Sequence, residues 1–432
     1  MNAVILSIGD ELVLGQTVDT NSAFLSEELA SRGIHTVYHQ TVGDDQSMIA
    51  DSFRTASQAA SIVIATGGLG PTEDDLSRQA LADALDAELV EHPESADTLR
   101  AFFDKRGRRM TANNLVQAQH PLGTEMIPNS CGTAPGIRAE LNGATVYVTP
   151  GVPFEMHAMF EQSIAPELPS SASDDNAQTA HRFILTEKIN TFGAGESAIA
   201  LKLGDLMSRD SNPTVGTTVS DGIVSVRVRS EHTSRDEAGA MLCQTIDDVE
   251  NKLGHLVFGR NAVTIQQSFV ELLKERDLTI ATAESCTGGM VAAMLTDVSG
   301  SSAVYEGGWI TYSNEMKTKE LGVDADIINT HGAVSEPVAR AMAQGVIEQS
   351  GADLGVGITG IAGPTGGTPD KPVGTVWIGL AFNGETEAML FNLPGDRQRV
   401  RDRAAKCAIQ LLRFHILGID LKTLSWGKLA ES

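Results

Sequence analysis

Strand and helix signals alternate along the first 165 residues, and this alternation restricts the fold more than any other feature of the chain. "AVILSIG" (Ala3–Gly9) is an uninterrupted apolar run of strand length. "TNSAFLSEELASRG" follows as a helix, with Asn21 or Ser22 as its cap and Gly33 as its stop. "HTVYHQTV", a helix from about Asp45, "SIVIATGG", and a helix from about Asp75 continue the pattern; "ATVYVTPG" and "PFEMHAMFEQSI" close it. Strands separated by helices build βαβ units and a mostly parallel sheet covered on both faces. A second such block opens with "TIQQSFVELLKERD" and contains "RDLTIATAESCTGGM", "GGWITYSNEMK", "GAVSEPVARAMAQGVIEQSG", "LGVGITGIAGPTGG" and "GTVWIGLAF".

Between the blocks, "ELPSSASDDNAQTA" (Glu167–Ala180) carries no apolar period and reads as a linker. Strand and helix signals from 181 to 257 then describe a small α+β unit. The expected organisation is a three-layer α/β domain over 1–166, a linker over 167–180, an α+β domain over 181–257 and a second α/β domain over 258–432.

Charge narrows the partners. Lys and Arg number 32 against 56 Asp and Glu, a net charge of -24, and such a surface repels a polyphosphate backbone. The middle unit has the shape of some RNA-binding modules, yet it lacks a G-x-x-G loop and holds 8 Lys+Arg against 11 Asp+Glu. It reads as a spacer that sets the geometry of its neighbours, and no nucleic-acid partner is expected. Cys131, Cys243, Cys286 and Cys407 are widely spread with no C-x-x-C pair, which suits a reducing cytoplasm. The start, "MNAVILSIGDEL", has no basic n-region and reads as a strand rather than a signal peptide; no window is apolar enough to span a membrane.

Two stretches carry chemistry. In "ATAESCTGGM" a strand ends on Ser285, Cys286 and Thr287, and Gly288–Gly289 open a helix. Helix-start N–H groups beside a hydroxyl are what acyl transfer requires. Serine needs a base, and no histidine lies near it in sequence. The chain does supply Tyr312 and Lys317, in "TYSNEMK", at a strand end and in the first turn of a helix capped by Asn314; a partly buried lysine can serve as the base. By themselves these residues leave a second reading open, with Ser285 and Thr287 as turn and capping groups. Cys286 is the rival nucleophile. In "IATGGLGPTEDD" a Gly-rich turn follows a strand and precedes a helix, which fits the approach of phosphate. Asp74 and Asp75 would repel phosphate unless a divalent metal lay between them; they are equally readable as helix-capping acids.

"AESCTGG", "VSGSSAVYEGGWITYSNEMK", "GAVSEPVARAMA", "TGIAGPTGGTPDKPVGTVW" and "PGDRQRVRDRA", in this order over about 260–415, resemble the signature runs of the CinA C-terminal family of nicotinamide-nucleotide amidases. The resemblance implies hydrolysis of the carboxamide of nicotinamide mononucleotide to nicotinate mononucleotide and ammonia. It implies Ser285 as nucleophile, with Lys317 and Tyr312 moving the proton, backbone at Thr287, Gly288 and Gly289 around the oxyanion, and no cofactor. The loop of Gly360 and Gly363 would approach the substrate, and Arg397 and Arg401 match family arginines suited to its phosphate.

"SIGDELVLGQTVDTN", "GGLGPTEDD", "SCGTAPG" and "VTPGVPFEM" resemble the N-terminal CinA domain, which has the molybdopterin-binding fold. That domain is associated with divalent-metal-dependent hydrolysis of ADP-ribose to AMP and ribose 5-phosphate. The matching positions are Asp19, Asn21, Gly67, Gly68, Gly70 and Asp75, with Asp74 and Glu155 in the same runs and Asp75 as the expected metal ligand. The expectation is a cytoplasmic homodimer with two small-molecule activities. A binding protein linked to DNA uptake or repair is the alternative, as is an N-terminal molybdopterin-binding module without hydrolysis.

Overall fold

In the N-terminal sheet the central strands Asn2–Ile8 and Ile62–Thr66 bury both faces, so alternate side chains feed two cores. A computed structural model of the chain describes residues 1–105, 107, 109–168, 182–424 and 426–429. Most of the expected linker, from 169 to 180, lies outside the described residues. The chain divides into two compact units, Met1–Thr186 with Ser230–Leu242, and Glu187–Arg229 with Cys243–Ser432.

The first unit is built on six strands, Asn2–Ile8, His35–Val42, Ile62–Thr66, Glu125–Ile127, Gly136–Leu141 and Ala144–Thr149. Taken in chain order they lie 2-1-3-6-5-4 across the sheet. Strands 2, 1, 3 and 6 are parallel, and 5 and 4 add an antiparallel edge. Val4, Leu6 and Ile8 face one core with Ile49, Phe53, Ala80 and Leu81, residues of helices Gln46–Ala59 and Ser77–Leu85. Ala3 and Ile5 face the other with Leu25, Leu29, Met156 and Phe160. This is the expected three-layer α/β arrangement.

Helix starts of the first unit differ from the sequence expectation in two places. Helix Asn21–Ser31 has Thr20 as its N-cap with no side-chain bond; Asp19 instead accepts the Ser22 N–H at 2.9 Å. The helix expected from about Asp75 begins at Ser77, because the Asp75 carboxylate folds back onto the loop before it.

The second unit carries a six-stranded sheet of Ile280–Glu284, Tyr305–Ile310, Leu354–Gly360, Thr375–Phe382, Glu385–Asn392 and Lys428–Leu429, in order 2-1-3-4-5-6. Strands 2, 1 and 3 are parallel and the rest antiparallel. Ala281 and Ala283 pack with Val338, Met342 and Val346 of helix Glu336–Ser350. The middle sheet, of Phe183–Thr191, Thr214–Ser220, Ile223–His232 and Val257–Arg260, lies in order 2-3-1-4. Within this unit, helix Arg397–Ile416 fastens the first and last of those strands. Gln410 donates to Phe192 O at 2.9 Å, and Arg413 to His255 O at 2.8 Å. Both large sheets run 2-1-3 around their first strand, and ligands of open α/β sheets collect beyond the carboxyl ends of strands at such a reversal. No helix among the described residues is long and apolar enough to cross a membrane.

Candidate functional site

Strand Ile280–Glu284 ends between strands Tyr305–Ile310 and Leu354–Gly360, and Ser285 extends the ladder by donating its N–H to Ile358 O at 2.9 Å. The hydroxyl is thereby held at the carboxyl edge of the sheet, in a residue 8% exposed. Lys317 reaches it from the first turn of helix Asn314–Leu321 and is 1% exposed. Its Nζ lies 3.0 Å from Ser285 Oγ, 2.8 Å from Thr311 O and 3.5 Å from Tyr312 O. Ser313, not Asn314, caps this helix: its hydroxyl accepts the Met316 N–H at 3.2 Å, and its extended backbone (ψ 160) places the side chain over the turn.

Three acceptors surround the Lys317 nitrogen. An ammonium has three donors and no acceptor, whereas the neutral amine has two N–H bonds and one lone pair. Thr311 O, Tyr312 O and Ser285 Oγ match the three donors of the ammonium; once the amine is neutral, the two carbonyls can keep its N–H bonds and the lone pair faces the Ser285 hydroxyl. Burial pushes the Lys317 amine below the usual lysine value, with Cys286 pulling weakly the other way. A buried lysine that gives up its proton is a base.

The turn after Ser285 is fixed from two sides. Gly288 and Gly289 adopt left-handed backbone (φ 62 and 89), a region that side-chain-bearing residues avoid. Behind the turn, the buried Glu284 carboxylate accepts the N–H groups of Gly289 (3.0 Å), Val291 (3.2 Å) and Ala292 (2.9 Å) at the start of helix Met290–Thr296. Gly289 therefore does not offer its N–H to an oxyanion, contrary to the sequence expectation. From the side, Arg401 donates to Cys286 O at 3.1 Å and Thr287 O at 2.7 Å. In a planar trans peptide the N–H points away from its C=O. Clamping these carbonyls thus turns the Thr287 and Gly288 N–H groups to the opposite side.

Arg401 was expected at the substrate phosphate; the structure spends it on this loop. Cys286 is buried, and burial pushes its thiol up to about 12, so it is held as a neutral thiol beside a serine that has a base.

Tyr312 stands apart from the Ser285–Lys317 contact. Its side chain is 62% exposed, and its hydroxyl accepts from Arg397 Nη2 at 3.0 Å. The same guanidinium donates through Nη1 to Gly363 O at 2.9 Å. Tyr312, Arg397 and Gly363 so form a rim above the pair, and Gly360 ends the strand leading to it. Arg397 is exposed and accessible to an anion.

The N-terminal constellation is organised differently. Gly67 (φ 111) turns directly against the first strand: a Cβ there would lie 2.1 Å from Ile8 O. Gly68 packs onto Ser77, whose hydroxyl donates to Gly67 O at 2.7 Å. Asp75 accepts from Gly70 N at 2.7 Å, from Thr72 N at 2.9 Å and from the Thr72 hydroxyl, so its carboxylate is occupied by its own loop. Buried Arg78 donates to Leu69 O at 2.8 Å and to Gly70 O. Burial lowers its guanidinium to about 10, with Asp75 acting against that shift.

Asn21 ties Thr66 Oγ1 (2.9 Å) to Gly151 O (2.8 Å), joining the third strand to the loop before Glu155. Glu155 in turn accepts from Asn129 at 2.7 Å. Burial raises the Asp19 carboxyl, but hydrogen bonds from Ser22 and Ser7 outweigh it and hold it below the ordinary value. Asp19, Asn21 and Glu155 thus serve as braces.

The sequence reading missed the acids that do face outward. Asp10 and Asp44 follow the first two strands and exchange hydrogen bonds, Asp10 N to Asp44 Oδ2 at 2.9 Å and Asp44 N to Asp10 Oδ1 at 3.1 Å. Partial burial, and after it the charges of Asp10, Glu11 and Asp74, push the Asp44 carboxyl up. The signal was present as acids directly after two strand patterns, "SIGDE" and "TVGDD". A divalent ion would relieve this repulsion, so the residues fit one. Among the described residues no three His, Cys, Asp or Glu side chains gather closely enough to hold an ion alone. Phosphate oxygens and water would have to complete its coordination, as is usual for magnesium.

Comparison with known proteins gives three matches in chain order. Residues 4–170 match a probable molybdopterin binding domain, 186–259 the damage-inducible protein CinA KH domain, and 262–416 the CinA C-terminal domain. The middle unit, read from sequence as a spacer, is therefore KH-like in fold, although its sequence has no G-x-x-G loop. A CinA-like protein of Dictyoglomus thermophilum is 39% identical over 97% of this chain and 100% of its own. A putative competence-damage inducible protein of Symbiobacterium thermophilum is 40% identical over 97% of this chain and 99% of its own. Among solved structures, a competence/damage inducible protein from Agrobacterium tumefaciens is 37% identical, covering 35% of this chain and 93% of that one, with a TM-score of 0.34. Matched from end to end by such relatives, the chain belongs to the CinA family.

Proposed function

We propose that the second unit hydrolyses the carboxamide of nicotinamide mononucleotide, giving nicotinate mononucleotide and ammonia. The observation that carries this reading is the 3.0 Å contact between the buried Lys317 amine and Ser285 Oγ. In the first half-reaction Ser285 Oγ attacks the carboxamide carbon while Lys317 takes its proton. The oxyanion is met by Gly288 N–H, with Thr287 N–H beside it. Lys317 returns the proton to the departing nitrogen, ammonia leaves, and an ester joins Ser285 to the pyridine carboxyl. Water then attacks the ester, Lys317 takes its proton and gives it back to Ser285 Oγ, and nicotinate mononucleotide is released. Arg397, exposed and held by Gly363 O and the Tyr312 hydroxyl, is the guanidinium we assign to the 5′-phosphate.

The first unit is read as a metal-dependent ADP-ribose pyrophosphatase. Support comes from the outward acids Asp10, Asp44 and Asp74 around the Gly67–Gly70 turn. Asp44 and Asp74 would hold the ion against the pyrophosphate, and the ion would supply charge neutralisation there. A competence-linked DNA-binding role, suggested by the relatives' names, meets a net charge of -24.

Product analysis tests both assignments. Purified protein with nicotinamide mononucleotide should release ammonia and nicotinate mononucleotide; with ADP-ribose and a divalent ion it should release AMP. Untouched nicotinamide mononucleotide would remove the first assignment, and absence of AMP with every divalent ion tried would remove the second. Filter retention of DNA at low salt would favour the binding reading.

A further inference from the structure

Glu284 is the one carboxylate buried against the nucleophile turn, 1% exposed and adjacent in sequence to Ser285. Its three hydrogen bonds, 2.9–3.2 Å long, all come from backbone N–H groups of Gly289, Val291 and Ala292. No basic side chain pairs with it in a salt bridge among the described residues. A buried carboxylate without a cation is expensive, and helix-start N–H groups are the setting that tolerates it.

The location has two consequences. The carboxylate occupies the place where a substrate anion would otherwise settle on the helix start, so the phosphate has to be bound elsewhere, toward Arg397. It also pins the far end of the turn whose near end is pinned by Ser285 N–H on Ile358 O (2.9 Å). With both ends fixed and Arg401 clamping the carbonyls between them, the Thr287 and Gly288 N–H groups have one orientation.

We propose that Glu284 is a positioning residue of the amidase, the internal anion that aims the Ser285–Gly289 turn at the reacting carbonyl.

The inference rests on the amidase reading, and the test separates the two. Ser285 is assayed by its rate of labelling with a fluorophosphonate, in which Ser285 Oγ bonds to phosphorus and fluoride leaves; no nucleotide is needed. In parallel, kcat and KM for nicotinamide mononucleotide are measured. Glu284→Gln keeps the shape but sets an NH2 against one of the N–H groups. It should lower both the labelling rate and kcat by about 10²-fold, the scale of a misplacement near 1 Å, with KM changed less than about threefold. Glu284→Ala should lose at least as much and regain labelling when formate is supplied, since formate can take the vacated place.

A folded Glu284→Gln protein labelled at the wild-type rate would overturn the proposal. So would a loss confined to KM, or a folded Glu284→Ala protein that formate does not help. Failure of both variants to fold would mean that the carboxylate holds the domain together rather than aims the turn, which also overturns it. Wild-type protein that labels at Ser285 but leaves nicotinamide mononucleotide intact would remove the substrate reading alone, and the labelling rates would still decide the role of Glu284.

Discussion

The two loops, Gly67–Asp75 and Ser285–Gly289, use the same three devices to different ends. Each follows a strand beside the 2-1-3 reversal of its sheet. Each has an arginine from the following sequence clamping two successive carbonyls, Arg78 on Leu69 and Gly70, Arg401 on Cys286 and Thr287. Each has an acid satisfying backbone N–H groups, Asp75 in one and Glu284 in the other. The difference is which N–H groups the acid takes. Asp75 takes the N–H groups of its own loop, at Gly70 and Thr72, and the outward charges left over are carboxylates. Glu284 takes those behind the turn and leaves Thr287 and Gly288. One loop therefore holds a hydroxyl against a buried lysine; the other presents negative charge. Similar scaffolding does not imply similar chemistry, because the decisive groups are the few left unsatisfied.

The largest effects should come from removing the paired groups of the second loop. Ser285→Ala should abolish deamidation, and Lys317→Met, similar in volume, should lower kcat by about 10² or more, the scale of a lost general base. Assay of the folded variants with nicotinamide mononucleotide checks both; a near-normal Lys317→Met would remove the lysine from the chemistry and break the contrast at its strongest point.

Chelator should divide the loops next. ADP-ribose cleavage should stop in EDTA and return with a divalent ion, because Asp10, Asp44 and Asp74 crowd negative charge beside the first loop, while deamidation continues, because its steps need only Ser285, Lys317 and backbone N–H groups. An amidase that EDTA inhibits and metal restores would erase the distinction.

The arginine clamps should then differ in both stability and activity. Arg78→Met leaves the Leu69 and Gly70 carbonyls without their donor, at about 1–3 kcal/mol for each buried orphan. Arg401→Met should cost less stability, since its contacts are only part-buried, but should slow kcat for deamidation by about tenfold through a loosened oxyanion turn. Thermal melts and kinetics on the two variants check this pair.

A pH profile sharpens the account of Lys317. Its folded value lies below the ordinary 10.5, so the rate of deamidation should rise with pH through that lowered value as the amine loses its proton. Between the lowered folded value and the unfolded one, the unfolded chain binds more protons, so stability should also rise with pH in that window. A rate that falls with pH there would contradict a neutral lysine base. The smallest effect is expected at Tyr312→Phe, which removes only the hydroxyl that accepts from Arg397. KM should rise about threefold with kcat little changed, the pattern of lost uniform binding.

Which parts of this were legible in the sequence follows from the range of the forces involved. Periodicity and turn chemistry are local, so "AVILSIG", "SIVIATGG" and "TIQQSFVELLKERD" announced their elements correctly. The resemblance named Ser285 and Lys317, but only the fold brings Lys317 Nζ, 32 residues away in sequence, to 3.0 Å from Ser285 Oγ. Residues whose role is to satisfy backbone were misread or missed. Arg401 looked like a phosphate ligand because a guanidinium fork suits phosphate and carbonyl pairs alike. Glu284 lay inside a quoted motif without a role, since nothing local says that a strand's last carboxylate will bend onto the next helix. Asp10 and Asp44 meet only because the first two strands are neighbours.

The central claim is that Ser285 and Lys317 form a self-contained site independent of the Gly67 loop. Ser285→Ala in the full chain tests it most directly, with deamidation of nicotinamide mononucleotide and cleavage of ADP-ribose measured on the same folded preparation. The account predicts no nicotinate mononucleotide and an undiminished yield of AMP. Persisting deamidation, or loss of both activities together, would contradict it.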